Sequence, residues 1–175
     1  MFWDEFGFSF QETPATTWAR IGQRPVLKRV TKDRRALSVA VGLTLSGKIF
    51  KRAFPHGIRS QHVIQCLQHT QRFLPGKMIV VWDRARIHKS KKTQAYLAKH
   101  PDISVEELPA YAPELNPEEY CHGNVKQHLR NALPTDTRQM LKLINRGFAR
   151  LRRRPDLLLA FFHAAGLSVR KLSLP

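Results

Sequence analysis

Three acidic positions stand where the pattern of the surrounding residues changes, and carboxylates placed in that way are candidates for holding cations. Asp4 interrupts an alternating row of phenylalanines, Phe2, Phe6, Phe8 and Phe10. Asp83 ends the apolar run Met78 to Trp82, and a basic, polar segment follows it. Glu118 and Glu119 come directly after Asn116-Pro117, a pair that starts helices because asparagine caps and proline fits the first helical position. Three such carboxylates brought together without a cation would repel, by about 4 kcal/mol for each pair about 4 Å apart at an effective dielectric of about 20. Two divalent ions remove that cost. Hard oxygen ligands suit Mg²⁺ or Mn²⁺. A pair of such ions activates a water or a 3′-hydroxyl and stabilises the leaving oxygen of a phosphodiester. Each acid also has an ordinary explanation. Asp83 starts a turn, Asp4 is solvated at a frayed chain start, and Glu119, at the third helical position, is a capping-box acid.

The elements that must position these acids follow from periodicity. Met78 to Trp82 is too short for a buried helix and rich in β-branched residues, which predicts an interior, mostly parallel strand covered on both faces. The carboxyl end of such a strand is where α/β sheets hold ligands. Phe2 to Phe10 alternates, with Trp3, Glu5 and Gly7 opposite the phenylalanines, and predicts a strand on which Asp4 needs a partner, a metal or the open end of a sheet. Thr16 to Ile21 is a candidate second strand, with a turn at Gly22 to Pro25. Ala36 to Leu45 and Lys48 to Phe54 form a hairpin about Ser46-Gly47. From Ser60, placed as a cap, Val63, Leu67, Thr70 and Leu74 mark an amphipathic helix. His62, Cys66 and His69 on it do not converge, so no zinc site is expected there. Ser90 to Lys99 reads as a helix and Ile103 to Leu108 as a strand. The helix opened by Asn116 buries Cys121, Val125 and Leu129, with Lys126 and Arg130 on the Glu119 side. After Asp136 come a stripe of Met140, Ile144, Phe148 and Leu151, and then a last helix, Leu157 to Ala165, closed by Gly166. Antiparallel strands followed by alternating α/β units predict a mixed sheet with helices.

The charge balance narrows the partners. Lys and Arg number 30 against 13 Asp and Glu, a formal charge of +17, which favours a polyanion and most simply nucleic acid. With 42% hydrophobic residues the chain is globular, and no apolar run approaches the length of a membrane span. Candidate phosphate contacts are the basic run Lys28, Arg29, Lys32, Arg34 and Arg35, and the arginine-rich stretch with Arg150, Arg152 and Arg153. Cys66 and Cys121 are the only cysteines, so no disulfide framework is implied and a cytoplasmic protein is expected.

Three blocks carry a family resemblance: Phe2-Trp-Asp-Glu-Phe-Gly-Phe8, Val80-Val-Trp-Asp-Arg-Ala-Arg-Ile-His-Lys-Ser90 and Leu108-Pro-Ala-Tyr-Ala-Pro-Glu-Leu-Asn-Pro-Glu-Glu-Tyr120. They resemble the signature blocks of the mariner-like DDE transposases, most closely the bacterial insertion-sequence branch. Trp18 to Pro25 also resembles that family's second strand and turn. The similarity runs from Phe2 to about Arg130, and Tyr111 to Pro117 is its most specific part. It implies an α/β, RNase H-like fold, a mixed five-stranded sheet flanked by helices. It implies metal-dependent cleavage and strand transfer at transposon ends, with Asp4, Asp83 and Glu119 as catalytic residues holding two Mg²⁺ or Mn²⁺ ions. The motif favours Glu119, whereas helical phase puts Glu118 nearer the buried stripe, and the choice stays open here.

Double-stranded DNA, as transposon ends and target, is the implied partner of a cytoplasmic, nucleoid-associated protein. A second copy of the chain and a DNA-binding protein from an upstream frame are further candidates. Arg84, Arg86, His88, Lys89, Lys126 and Arg130 join the expected DNA contacts. Three features depart from the family pattern. Arg84 stands where asparagine is usual and brings a cation near Asp83. His122 replaces a large aromatic. Only three residues precede Asp4, where relatives carry helix-turn-helix modules, so residues 1–175 read as one catalytic domain with 136–175 as a basic helical extension. A truncated or domesticated DNA-binding relative without nuclease activity is the alternative. A different RNase H-like nuclease fits the acids but not Tyr111 to Pro117.

Overall fold

The computed structural model describes residues 1–10, 16–26 and 36–172. Its strands are β1 (Phe2–Ser9), β2 (Ala36–Leu43), β3 (Ile49–Phe54), β4 (Met78–Trp82) and β5 (Ile103–Glu107). Its helices are α1 (Ser60–Gln71), α2 (Lys91–Ala98), α3 (Pro117–His128), α4 (Thr137–Arg152) and α5 (Pro155–Ala164), with a short 3₁₀ turn at Pro113–Leu115. The five strands form one sheet in the order β3-β2-β1-β4-β5. β1, β2 and β3 are antiparallel neighbours, and β4 runs parallel to both β1 and β5. This is the mixed five-stranded sheet expected from the sequence.

Alternation along β1 divides the core in two. Phe2, Phe6 and Phe8 pack with Val39, Val41, Cys121, Val125, Ile144, Phe148 and Phe162 beneath α3, α4 and α5. Trp3 faces the other way and packs with Val63, Leu67, Val80 and Trp82 beside α1. Each large apolar side chain buried in these layers contributes roughly 1.5–3 kcal/mol. The segment read as a basic extension is part of this packing: Met140, Ile144, Phe148, Leu151, Leu158 and Phe162 are buried. α4 also approaches α3 closely, because a Cβ on Gly147 would lie 2.8 Å from a methyl of Val125. No helix among the described residues is long and apolar enough to cross a membrane.

Three local expectations change. Thr16 to Ile21 forms no strand and is exposed, Trp18 completely. β1 pairs with β2 along its whole length and meets β4 on its other edge at Phe2. Ser60 is the first residue of α1 rather than its cap; Arg59 is the cap, and its backbone N–H donates to His62 Nδ1 at 3.1 Å. β4 is interior, as expected, yet covered fully on one face only. Met78, Val80 and Trp82 are buried, but Ile79 is 57% exposed, because α3 and α4 lie over β1, β2 and β3. The basic run Lys28, Arg29, Lys32, Arg34 and Arg35 lies outside the described residues.

Candidate active site

Two connections bring the distant acids to one place. The parallel register pairs Phe2 with Val81, which carries Asp4 and Asp83, each two residues further on, to the same level of the sheet. The second connection is Asn116, which is buried. Its Oδ1 accepts the backbone N–H of Glu118 at 3.1 Å, capping α3, while its Nδ2 donates to the carbonyl of Trp3 at 3.2 Å. The cap therefore ties the start of α3 to β1 and sets the two glutamates beside Asp4. Asp4, Asp83, Glu119, Asn116, Arg84 and Tyr111 all line one cleft of about 420 Å³. Tyr111 at its rim holds a left-handed φ of 59° with its side chain fully exposed, a backbone state that bulky residues rarely adopt.

The two candidates for the third acid part company. Glu119 faces the cleft, whereas Glu118 is completely buried beneath it. His122 joins them. Its Nδ1 donates to Glu118 Oε2 at 3.0 Å, its Nε2 donates to Glu119 Oε2 at 2.9 Å, and Nδ1 lies 3.5 Å from Asp4 Oδ2. The ring stacks on Phe6, with centroids 4.2 Å apart. One ligand atom from each of Asp4, Glu119 and His122 lies within 4.8 Å of the other two. Asp83 lines the same cleft from its other side. Its Oδ1 accepts the backbone N–H of Ala85 at 3.0 Å, so the turn-start role is filled as well. Asn116 caps α3 as expected, but its backbone N–H, which a capping-box Glu119 would accept, donates instead to the Pro113 carbonyl at 2.9 Å.

The electrostatics follow from crowding. Burial, then the charges of Glu118 and Glu119, push the Asp4 carboxyl up to about 9. Burial raises Glu118 to about 7 against its bond from His122. Burial disfavours the His122 imidazolium, but its bonds to Glu118 and Glu119 outweigh that and hold it up at about 9. Glu119 is held below its usual range by the same bond. These groups suit a divalent cation on physical grounds: burial, and then the neighbouring anions, favour the protonated form of Asp4, and a cation among hard oxygen donors opposes that.

Asp83 is different. A hydrogen bond from His88 holds its pKa down, and its side chain is 58% exposed. His88, expected on the DNA surface, is instead buried and stacked on Trp82, with centroids 4.1 Å apart. Its Nδ1 meets Asp83 Oδ1 at 3.0 Å, and its Nε2 meets Glu5 Oε1 at 3.1 Å. The bonds to Asp83 and Glu5 raise its pKa to about 10 against the cost of burial. The basic segment hid an inward-facing residue, its ring stacked on Trp82 and bonded at both nitrogens.

The other expected DNA contacts divide by exposure. Arg84, Arg86, Lys89 and Arg130 are exposed. Arg84 and Lys89 both pair with Glu107 Oε2 at 3.3 Å, so the cation expected to disturb Asp83 is engaged elsewhere. Lys126 is half-buried, with Nζ 5.5 Å from the Phe6 ring centre. Arg150 is also half-buried and donates to Asn124, joining α4 to α3, so it serves the fold. Arg152 donates to the carbonyl of Ile49 at 2.8 Å and Arg153 to that of Ala149, both from exposed positions. The parts of the site that the sequence reading missed are the roles of Glu5, Glu118 and His122. The spacing of His122, four after Glu118 and three after Glu119, was a usable signal, since residues so spaced share a helix face. Glu5 offered none.

A family model described as DDE superfamily endonuclease matches residues 1–142. The Mos1 mariner paired end complex with Mn superposes with a TM-score of 0.70 at 17% identity, covering 94% of this chain and 53% of that one. The catalytic domain of Mos1 mariner transposase matches with a TM-score of 0.61 at 16% identity, covering 95% of this chain and 81% of that one. A simian T-cell lymphotropic virus intasome matches with a TM-score of 0.53 at 14% identity, covering 88% of this chain and 47% of that one. At these identities the likeness is one of fold, and the fold is RNase H-like. The chain spans about half the length of the transposase chains in the Mos1 complexes, 53% to 55%. No curated protein matches it.

Proposed function

The chain belongs to the DDE superfamily endonuclease family, and from that premise we propose that it is a transposase catalytic domain of the mariner-like superfamily's bacterial insertion-sequence branch. It cleaves DNA phosphodiesters at transposon ends and transfers the 3′ end to target DNA. The observation that carries this proposal is the meeting of Asp4, Asp83 and Glu119 at one cleft from three separate elements. Asp4, Asp83 and Glu119 are the catalytic acids and hold two Mg²⁺ or Mn²⁺ ions. The chemistry such ions supply is activation of a water or 3′-hydroxyl and stabilisation of the leaving oxygen. Asn116 fixes where Glu119 stands relative to Asp4. The Ala85 N–H and His88 orient Asp83. The exposed Arg84, Arg86, Lys89 and Arg130 are placed to meet phosphates of double-stranded DNA, and the net charge of +17 strengthens that attraction at low salt. A homodimer, a separate end-recognition protein and a cytoplasmic, nucleoid-associated location complete the proposal.

One observation favours a DNA-binding relative that no longer cuts: the His122 imidazolium already supplies a cation among the acids. Incubation with Mn²⁺ and transposon-end DNA separates the two. Nicking by the wild type that Asp83→Asn abolishes supports the nuclease. Equal nicking by both proteins removes the assignment of the acids, and DNA binding with neither nicking nor divalent-ion binding supports the non-cutting relative.

A further inference from the structure

Resting on the cation-holding role proposed for the cleft, we propose that His122 is itself a ligand: Nε2 joins Asp4 and Glu119 on one ion, and Glu118 is the buried carboxylate that orients the ring. The site is then a two-carboxylate, one-histidine set that selects Mn²⁺ and other first-row transition ions over Mg²⁺.

Geometry carries the proposal. One donor atom from each of Asp4, Glu119 and His122 lies within 4.8 Å of the other two, Asp4 Oδ2 being 3.5 Å from Nδ1 of the same ring, and Glu119 and His122 are one helical turn apart on the same face of α3. The ring is fixed from two sides, by stacking on Phe6 and by the bond from Nδ1 to Glu118 Oε2 at 3.0 Å. That leaves Nε2 beside Glu119 Oε2 at 2.9 Å, with coordination replacing its proton. Histidines that bind metals characteristically give their second ring N–H to a carboxylate, carbonyl or water, and Glu118 stands in that position. Glu118 also lacks another evident task. It is completely buried, and its Oε1 has no hydrogen-bond partner among the described residues, a costly arrangement unless the group serves an attached function. Mg²⁺ prefers oxygen ligands in a near-ideal octahedron, whereas imidazole nitrogen suits transition ions.

The test uses the full chain, labelled with ¹⁵N-histidine and loaded with Mn²⁺ alone, read by electron–nuclear double resonance and by calorimetric titration with Mn²⁺ and Mg²⁺. The expected result is a ¹⁵N hyperfine coupling that disappears in His122→Phe, which retains an aromatic ring against Phe6. The preference for Mn²⁺ over Mg²⁺ should fall about 10-fold in that variant, and Glu118→Gln should weaken Mn²⁺ binding by at least about 10-fold. If His122→Phe fails to fold, His122→Gln serves in its place with the same expected loss of coupling. Mn²⁺ that binds the cleft without a ¹⁵N coupling, or with a coupling that both His122 variants retain, overturns the ligand role and leaves the acids standing. Mn²⁺ binding that is absent, or unaffected by Asp4→Asn, overturns the cation-holding role and this proposal with it.

Discussion

The two sides of the cleft use the same device and reach different charge states. On one face of the sheet, His88 stacks on Trp82 and bonds Asp83 and Glu5. On the other face, His122 stacks on Phe6 and bonds Glu118 and Glu119, with Asp4 close by. Both are buried histidines held cationic by carboxylates. His88 serves two acids, and the one facing the cleft, Asp83, is ionised and half open to water. His122 serves three, and the surplus carboxylate, Asp4, keeps its proton until another cation arrives. The number of carboxylates for each built-in cation therefore decides which side has room for an external ion. Asp83 is already a formed anion, whereas Asp4, Glu118 and Glu119 are carboxylates one positive charge short.

The largest expected effect addresses whether the two sides form a single site. Asp4→Asn, Asp83→Asn and Glu119→Gln should each lower single-turnover nicking of transposon-end DNA by about 10³-fold, the scale seen when a transition-state charge stabiliser is removed. A dispensable Asp83 would mean that the two sides are separate. Next in size is the stability contrast. His88→Leu leaves the largely buried Glu5 without its cation and should cost about 3 kcal/mol in urea unfolding. His122→Phe at pH 6 should cost about 1–3 kcal/mol, because Asp4 and Glu118 are already disposed to hold protons. Equal losses would break the comparison.

The pH dependence comes third. His88 and His122 have folded pKa values raised from 6.5 to about 10 and about 9. Their stabilisation is fully present below about 6.5 and is lost as pH rises through those values. Asp4, raised from 3.8 to about 9, adds a loss of the same sign, since the folded state binds more protons than the unfolded one across that range. The metal-free protein should therefore unfold more easily at pH 9 than at pH 6. Saturating Mn²⁺ should flatten the slope, and thermal melts across that range check both. The smallest effect is on the rim. Lys89→Ala should change stability by less than about 1 kcal/mol, its partner Glu107 being exposed. The same change should reduce the salt dependence of DNA binding by about one phosphate contact.

Much of the frame was legible in local pattern. Alternating phenylalanines announced β1, the short β-branched run announced β4, and Asn116-Pro117 announced α3 together with its cap. Thr16 to Ile21 misled because strand-like composition does not say which segment a sheet edge will take, and β2 pairs with β1 along its whole length. His88 misled in the same way. A histidine between basic residues looks like surface until the aromatic ring that covers it is known.

The sequence alone determined which residues carry charge, where strands and helices begin, and which faces are apolar, because those properties depend on neighbours within a turn or two of the chain. Tertiary structure decided which acids meet. Asn116 reaches the Trp3 carbonyl, β4 runs parallel to β1 in one register, and Glu118 turns inward while Glu119 turns to the cleft. Each of these rests on contacts between segments far apart in the chain, and the protonation of Asp4 follows from them. Charge balance in a buried site is set by distances in space, which no local spacing records.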